Sequence, residues 1–518
     1  MGPFLPDAVR AHARRAPGAP AVSEGGRTLG YGALDTRSNR LAQALLAEGL
    51  TPGQRVGYLA RPGILGAEVL LACAKAGLVA TPLNWRLAAR ELTRIAADAE
   101  LALMITQSEF LGPARSVAET RPGTPLVIDG DGDGEAGAYA YETWLSGAAD
   151  EDPGRGSENA VYLQLYTSGT TGLPKGVQLT LENTIAGPAQ LAEMEWRPEA
   201  IALNAMPVFH IAGTGWLIQA LNAGARTVTM PDFRPTDAVE LMERERITHA
   251  FFAPSILHML TTVPGIEDRD FSALETIVYG SSPITPALLR RSMKIFGCAF
   301  YQKYGQTENV GSSTRLLSED HDPDGPRAHL LRSAGLPFPY VDLRITDPVT
   351  GEPLPRGEVG EILVRSHQVM PGYWNRPEEN AKTLTEDGFL RTGDAGCLDA
   401  EGYLFITDRI KDMVITGGEN VYPIEVESVL AEHPAVLDVA VYGTPHATWG
   451  EAVTAAVVLR ADADPVTEAE LIAFAKERIA SYKKPRTVHF MDELPRNPSG
   501  KILKRVLRDT TGGGESSA

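Results

Sequence analysis

Tyr166 to Val177 reads YTSGTTGLPKGV, which puts four Ser/Thr hydroxyls, three glycines and one lysine into twelve positions directly after the apolar run AVYLQL. Hydroxyls and bare glycine amides can wrap phosphate oxygens without steric obstruction, and Lys175 adds a point charge. The spelling is not that of a Walker loop, which needs glycine, four residues and then Gly-Lys-Ser/Thr. Lys175 instead follows Pro174 and precedes Gly176. Alone, such a loop reads first as a Gly/Thr surface turn. A second stretch, PRNPSGK, ends at Lys501 and leads into the basic run KILKRVLR. An ammonium that reaches both a carboxylate and a phosphate stabilises the transition state joining these two anions more than it stabilises the ground state. An ordinary surface lysine is the plainer alternative. YGQTE, from Tyr304 to Glu308, sets an aromatic four residues ahead of a carboxylate. One carboxylate plus phosphate oxygens is a normal environment for Mg²⁺.

These residues need elements to hold them. Leu34, Leu41, Ala42 and Leu45 recur at helical spacing before Gly49, and AEVLLACAKAG reads as a further helix. RVGYLA, LVATPLN, LALMIT and TPLVID read as buried strands, so the first 150 residues alternate in the manner of an α/β sandwich with parallel sheet. The alternation resumes from Asn159 to about Pro286 with AVYLQLYT, AIALNAMP, ARTVTMP, THAFFAP and TIVYGSS. After Gly335 short β units separated by turns (VDLRITDPVTGEPL, VGEILVRS) predict a smaller β-rich subdomain. DRIKDMVITGGENV looks like a junction, and beyond it IEVESVLAEHP, LDVAVYG, AVTAAVVL, EAELIAFAKERIA and RTVHFM predict a compact α+β unit. The terminal TTGGGESSA reads as disordered.

Bulk properties exclude several functions. The chain has 518 residues, too many for one core, and its 43% hydrophobic and 22% charged content is that of a globular protein. With 48 Lys and Arg against 66 Asp and Glu, the net charge is −18, which gives no overall field for nucleic acid or anionic lipid. A polyanionic ligand would need local cations, helix N-termini or a metal. Cys73, Cys298 and Cys397 have no metal-ligand or redox spacing and read as buried free thiols. DGDGDGEAGAYA, from Asp129 to Ala140, opens like an EF-hand loop, but Ala140 stands where a bidentate Glu is required, so it reads as an acidic turn. With no transmembrane run and no apolar leader at the N-terminus, the cytoplasm is the expected compartment.

The stretches YTSGTTGLPKG, YGQTE, RTGD at Arg391 to Asp394, DRIKDMVITGGENVYPIEVE at Asp408 to Glu427, and PRNPSGK occur in the order seen in the adenylate-forming superfamily. The chain resembles this superfamily over essentially its whole length, and most closely its fatty- and aryl-acid CoA ligases. That resemblance implies an N-terminal ATP- and acid-binding domain over 1–408 and a small mobile domain over 409–518, hinged near Lys411. It implies ATP, Mg²⁺ and coenzyme A as the reactants and cofactor. The expected partners are small molecules, with no nucleic acid, no integral membrane contact and at most a second copy in a homodimer. A carboxylic acid would be adenylated with loss of pyrophosphate and then passed to the CoA thiol; transfer to a carrier protein or another nucleophile is the alternative.

Residue by residue, the resemblance places Thr167, Ser168, Gly169, Thr170, Thr171, Gly172 and Lys175 around the β- and γ-phosphates. Gly280, Ser281 and Ser282 in YGSSPI border the adenine, on which Tyr304 stacks next to Gly305, while Thr307 meets the α-phosphate and Glu308 holds Mg²⁺. Asp394 accepts the ribose hydroxyls, as a carboxylate's two oxygens suit, with Ile406 and Arg409 beside the nucleotide. Lys501 serves adenylation. His210, in MPVFHIAGTGW, lies near the acyl carboxylate, with a satisfied structural histidine as the alternative. Phe209-His210 replaces the aromatic-Asp pair of amino-acid adenylating domains, which argues against an α-amino acid. Gly417 and Gly418 line the pantetheine tunnel, and Trp449, Tyr482 and Lys484 face the nucleotide end of CoA, although plain packing and a solvated basic turn would also explain these three. The candidate acid pocket is Ala212, Trp216, Phe252, Tyr279, Gly305 and Val310. It is apolar with no cation to receive a second carboxylate, and so predicts an aromatic or short-to-medium aliphatic monoacid.

Overall fold

The computed structural model describes residues 2–120, 124–130, 138–154, 156–157, 159–167, 174–185, 188–409, 412, 414–416, 419–446, 448–461, 463–496 and 502–511. The chain divides into two compact units, one of Met1–Asp342 with Val364–Leu390 and the other of Leu343–Leu363 with Arg391–Ala518.

The first unit holds two large sheets. One has eight strands in the order Gly372–Tyr373, Lys175–Thr180, Val161–Thr167, Val79–Pro82, Arg55–Leu59, Leu101–Gln107, Leu126–Asp129 and Ala138–Ala140. Every residue of Arg55–Leu59 and Val79–Pro82 is buried, as expected of parallel strands covered on both faces. The helix Ile64–Ala76, buried along its whole length, stops at Gly77, whose φ of 72° is the left-handed turn that glycine adopts without penalty. The pairing is parallel except where Val161–Thr167 and Lys175–Thr180 form a hairpin and where Gly372–Tyr373 joins the edge.

The other sheet has nine strands in the order Leu336–Pro337, Thr314–Leu316, Ala299–Tyr304, Thr276–Gly280, His249–Phe252, Ile201–Asn204, Arg226–Thr229, Pro20–Glu24 and Arg27–Gly30. From Ile201–Asn204 the chain passes to Arg226–Thr229 on one side and then to His249–Phe252 on the other, and both pairings are parallel. The order therefore reverses there, and the crevice outside the carboxyl ends of strands at such a reversal is where open α/β sheets bind ligands. The Pro20–Glu24/Arg27–Gly30 hairpin turns on Gly25 and Gly26, both at positive φ, and was not expected from the sequence.

In the second unit a four-stranded sheet runs Asp342–Thr346, Gly360–Arg365, Leu390–Leu398, Leu404–Arg409. A five-stranded sheet is built on the long pair Val436–His446 and Gly450–Leu459, flanked by Val414–Thr416, Glu419–Val421 and Thr487–Phe490. The helices Pro423–Leu430 and Glu468–Lys476 supply Val426, Leu430 and Leu471 to its core with Val441, Val453 and Val457. Thr467 caps the second helix, accepting from the Glu470 amide while Glu470 accepts from Thr467. The expected α/β fold, β-rich segment and C-terminal α+β unit are the observed ones. Among the described residues no helix is long and apolar enough to cross a membrane, and no cluster of His, Cys, Asp or Glu could hold a metal alone. The three cysteines are free: Cys73 is buried, but Cys298 and Cys397 are only partly so.

Candidate active site

The YTSGTTGLPKGV stretch is the connection of a hairpin. Thr167 and Lys175 are register partners at its open end, and Ser168, Gly169, Thr170, Thr171 and Gly172 lie outside the described residues. Lys175 makes an ion pair with Glu379, on the helix Pro377–Thr383, and sits 5.0 Å from the Tyr373 ring centroid. This hydrogen-bonded lysine holds the Glu379 carboxyl below the usual carboxylate range. Gly372–Tyr373 pairs with Gln178 and Val177 of the hairpin, and the Trp374 amide donates to the Gly176 carbonyl at 2.8 Å. The segment PGYWNRPEEN thus fastens the loop's base. Sequence reasoning missed it, though glycine, two aromatics, proline and paired acids in so short a run were a usable signal.

The Tyr373 hydroxyl donates to Glu308 Oε1 at 2.8 Å. Burial, and then the Glu308 charge, raise that hydroxyl's pKa. Glu308 lies in the short turn Thr307–Asn309 that follows the strand Ala299–Tyr304. Asn309 fixes the turn, accepting the Gln306 amide at 2.8 Å and donating to Ser313 Oγ at 2.6 Å. A Cβ on Gly305 would meet the Gly311 carbonyl carbon at 2.3 Å, so the backbones approach as only glycine permits. Gly280 is equally constrained, with the Lys303 carbonyl oxygen 2.4 Å from a built Cβ. Glu308 Oε2 has no partner among the described residues. One free carboxylate oxygen, and no protein cage, suits Mg²⁺ completed by phosphate oxygens. Bound there, Mg²⁺ would neutralise phosphate charge.

A cavity of about 470 Å³, its open mouth included, lies at the carboxyl ends of the parallel strands. Its wall is one side of the helix Ile211–Ala223, through Ile211, Ala212, Gly215, Trp216 and Gln219, with Phe251, Ser281, Lys303, Gly305, Val310 and Gly311 opposite. Trp216 is pinned by its indole N–H donating to the Leu203 carbonyl at 3.0 Å. His210 is the N-cap residue of this helix, next to the lining but not part of it. Burial, with Arg86 adding repulsion, pushes its imidazole down to about 4, so it is neutral at pH 7.

Two expectations about this pocket are corrected. Phe252 and Tyr279 do not line it: they are register partners facing the opposite side of the sheet, in the core with Ile277 and Phe300. Side chains alternate along a strand, so the residue before each, Phe251 and Val278, faces the helix with Trp216 and Tyr301. The pocket also does have a cation, because Lys303 shares the parity of Tyr301 and reaches the wall. Ala212, Trp216, Gly305 and Val310 line this cavity.

In the second unit Asp394 and Arg409 are backbone register partners in the antiparallel pair Leu390–Leu398/Leu404–Arg409, and Ile406 pairs with Gly396. Asp394 is buried. Trp449 and Tyr482 are both 41% exposed, which is unusual for packing residues. The Arg486 guanidinium lies 4.7 Å from the Trp449 ring centroid. Lys484 has its pKa lowered by partial burial and then by Arg486 and Lys476, so this face is electropositive. Lys411, Gly417, Gly418 and Lys501 lie outside the described residues.

Comparison with known proteins agrees with this geometry. Residues 9–374 match the family described as AMP-binding enzyme, and residues 425–501 match the AMP-binding enzyme C-terminal domain. A fatty acid–acyl-carrier-protein ligase, ScoC, of Streptomyces coeruleorubidus is 42% identical over 505 residues, covering 96% of this chain and 94% of that protein. A feruloyl-CoA synthase of an Amycolatopsis species is 39% identical over 500 residues, covering 96% of each. The crystal structure of ATP-bound MatB from Rhodopseudomonas palustris superposes with a TM-score of 0.87 at 31% identity, covering 98% of this chain and 99% of that one. The Thr167–Lys175 hairpin, the Glu308 turn and the cavity beside it are thus set in a chain that belongs to the AMP-binding enzyme family, among the AMP-forming acyl-CoA synthetases of the adenylate-forming superfamily.

Proposed function

We propose that the protein is an ATP- and Mg²⁺-dependent carboxylic acid–CoA ligase working in two half-reactions. The observation that supports this reading is that one short segment carries both the residues proposed for the nucleotide and part of the cavity wall. Tyr304, Thr307 and Glu308 offer the nucleotide a ring, a hydroxyl and a carboxylate, while Gly305, Val310 and Gly311 of the same segment wall the cavity that would take the acid. An acid seated there has its carboxylate near the α-phosphate, and positioning of this kind supplies much of a two-substrate rate enhancement.

In the first half-reaction the acid's carboxylate oxygen attacks the α-phosphorus and pyrophosphate departs. Thr167, Lys175 and the loop between them hold the leaving phosphates, and Lys501 stabilises the charge on the bridging oxygen. Gly280, Ser281, Ser282 and Tyr304 take the base, while Asp394, Ile406 and Arg409 take the ribose side. His210, neutral, orients the carboxylate without adding charge. In the second half-reaction the C-terminal domain, dividing from the rest near 408/409, turns about Lys411. Gly417 and Gly418 then face the pantetheine arm, and the exposed Trp449, Tyr482 and Lys484 the nucleotide end of CoA. The CoA sulfur attacks the acyl carbon and AMP leaves.

Lys501→Ala is expected to lower acid-dependent pyrophosphate release by at least about 100-fold, as for loss of a transition-state donor, while supplied acyl-AMP is still converted to thioester. Equal loss of both steps would refute the division of labour. A second reading is favoured by the ScoC relative, whose named acceptor is an acyl-carrier protein: the same adenylate passes to a carrier phosphopantetheine. Product masses from acid and ATP with CoA, or with a loaded carrier protein, separate the two.

A further inference from the structure

Among the described residues the cavity wall carries one cation, and it has no ion-pair partner. Lys303 is 8% exposed, and no carboxylate among the described residues forms an ion pair with it. Its Nζ lies over the Phe338 ring, 5.9 Å from the centroid. Its register partner on the next strand, Arg315, also lies over Phe338, but is committed to Glu193. Tyr301, two residues before Lys303, donates to the same Glu193 at 2.8 Å. The nearby acid is therefore already paired, and Lys303 is the charged residue among those that line the cavity. Farther along the helix Ile211–Ala223, Gln219 Oε1 is buried without a partner. So is Gln190 Nε2, where the cavity continues past Gln219. Buried polar groups are almost always satisfied, so unpaired ones facing a cavity point to what enters it. An alkyl or unsubstituted aryl tail would leave all three unsatisfied and desolvated, at a cost.

We infer that Lys303 is a specificity-determining residue that receives an anionic group on the acid, and that the preferred substrates are short acids bearing a second carboxylate. This rests on the adenylation reading above and narrows its substrate class. The ammonium and carboxylate bring each other into the cavity as a neutral pair, with Gln219 as a further hydrogen-bonding group. Burial already pushes the Lys303 pKa down to about 8, the direction expected of an ammonium waiting for a counter-ion.

The test measures acid-dependent pyrophosphate release with chain-matched pairs, such as butanoate against butanedioate, hexanoate against hexanedioate, and benzoate against its para-dicarboxylate. A site with buried polar groups discriminates strongly against a ligand lacking the complement, so at least one diacid should exceed its monoacid by about 100-fold or more in kcat/KM. Lys303→Met should remove that preference and raise the monoacid severalfold, whereas Lys303→Arg should keep it. Monoacid turnover in the wild type with no diacid preferred overturns the inference and leaves the adenylation reading standing. So does an equal fall for both members of a pair in Lys303→Met, which would mark a structural lysine. If Lys303→Met does not fold, the wild-type ratio and calorimetric binding of the diacid decide the matter. Silence from every acid, with folded enzyme and ATP, sinks the adenylation reading and this inference together.

Discussion

Gly305 shows how much one methyl group can decide. A side chain there would strike the backbone of Gly311 at 2.3 Å, and backbone cannot rotate away as a side-chain tip can. Gly305→Ala must therefore displace the turn that holds Glu308 and Val310. We expect a loss of about 100-fold or more in kcat/KM for pyrophosphate release, since misplacement of about 1 Å costs this much. Gly297→Ala, at the end of the helix Pro286–Phe296 and outside the cavity wall, is the control. Its φ of 59° is strained for alanine, but a Cβ meets nothing within 4 Å, so about 1 kcal/mol of stability should go with little change in rate. Equal kinetic losses in the two variants would show that the close approach does not matter. At this scale the sequence was legible wherever motif spacing carried the information, as in YGQTE. It was not legible where side-chain direction decided, because placing Phe252 rather than Phe251 on the cavity is an error of one residue in strand parity. Lys303 was missed for the same reason: AFYQKY does not say which face its lysine takes until the strand has neighbours.

Among elements, the two-residue strand Gly372–Tyr373 and the helix Pro377–Thr383 behind it tie the Thr167–Lys175 hairpin to the Glu308 turn. Strands and helices with long apolar periods were read from sequence nearly to their ends, Ile64–Ala76 and Gly450–Leu459 among them. A strand of two residues has no period to read, and its role comes from contacts made with residues nearly two hundred positions away. Tyr373→Phe isolates that role by deleting the hydroxyl that orients Glu308. Stability should fall by about 1 kcal/mol, the net worth of a hydrogen bond. The Mg²⁺ concentration for half-maximal activity should rise about tenfold, as when an outer partner of a ligating carboxylate is removed. A variant with unchanged Mg²⁺ dependence would show that the contact is structural alone.

For the whole molecule, buried histidines tie stability to pH. Within the larger unit, His321 donates from Nδ1 to the Leu317 carbonyl at 2.7 Å, so Nε2 accepts from the Tyr279 hydroxyl at 2.9 Å. Burial pushes this imidazole, like that of His210, down to about 4. Between about 4 and the ordinary 6.5 the unfolded chain binds protons that the folded chain refuses, so stability is complete above pH 6.5 and is lost as pH falls toward 4. His321→Gln should reduce the fall in denaturant midpoint between pH 7 and 5, removing a pH-dependent contribution of at most about 2 kcal/mol over that range and leaving that of His210. A slope identical to wild type would place the proton elsewhere. The cavity helix Ile211–Ala223 has a consequence on a longer timescale. Its lining residues fall on successive turns, about 5.4 Å apart, which makes it a ruler laid beside the cavity. A Cβ on Gly215 would have only ordinary contact with Ile211 at 3.7 Å, so that mark can be moved without breaking the helix. On the proposed function, selection could change which acid is accepted by single substitutions along one helix, while the Thr307–Asn309 turn is inherited intact.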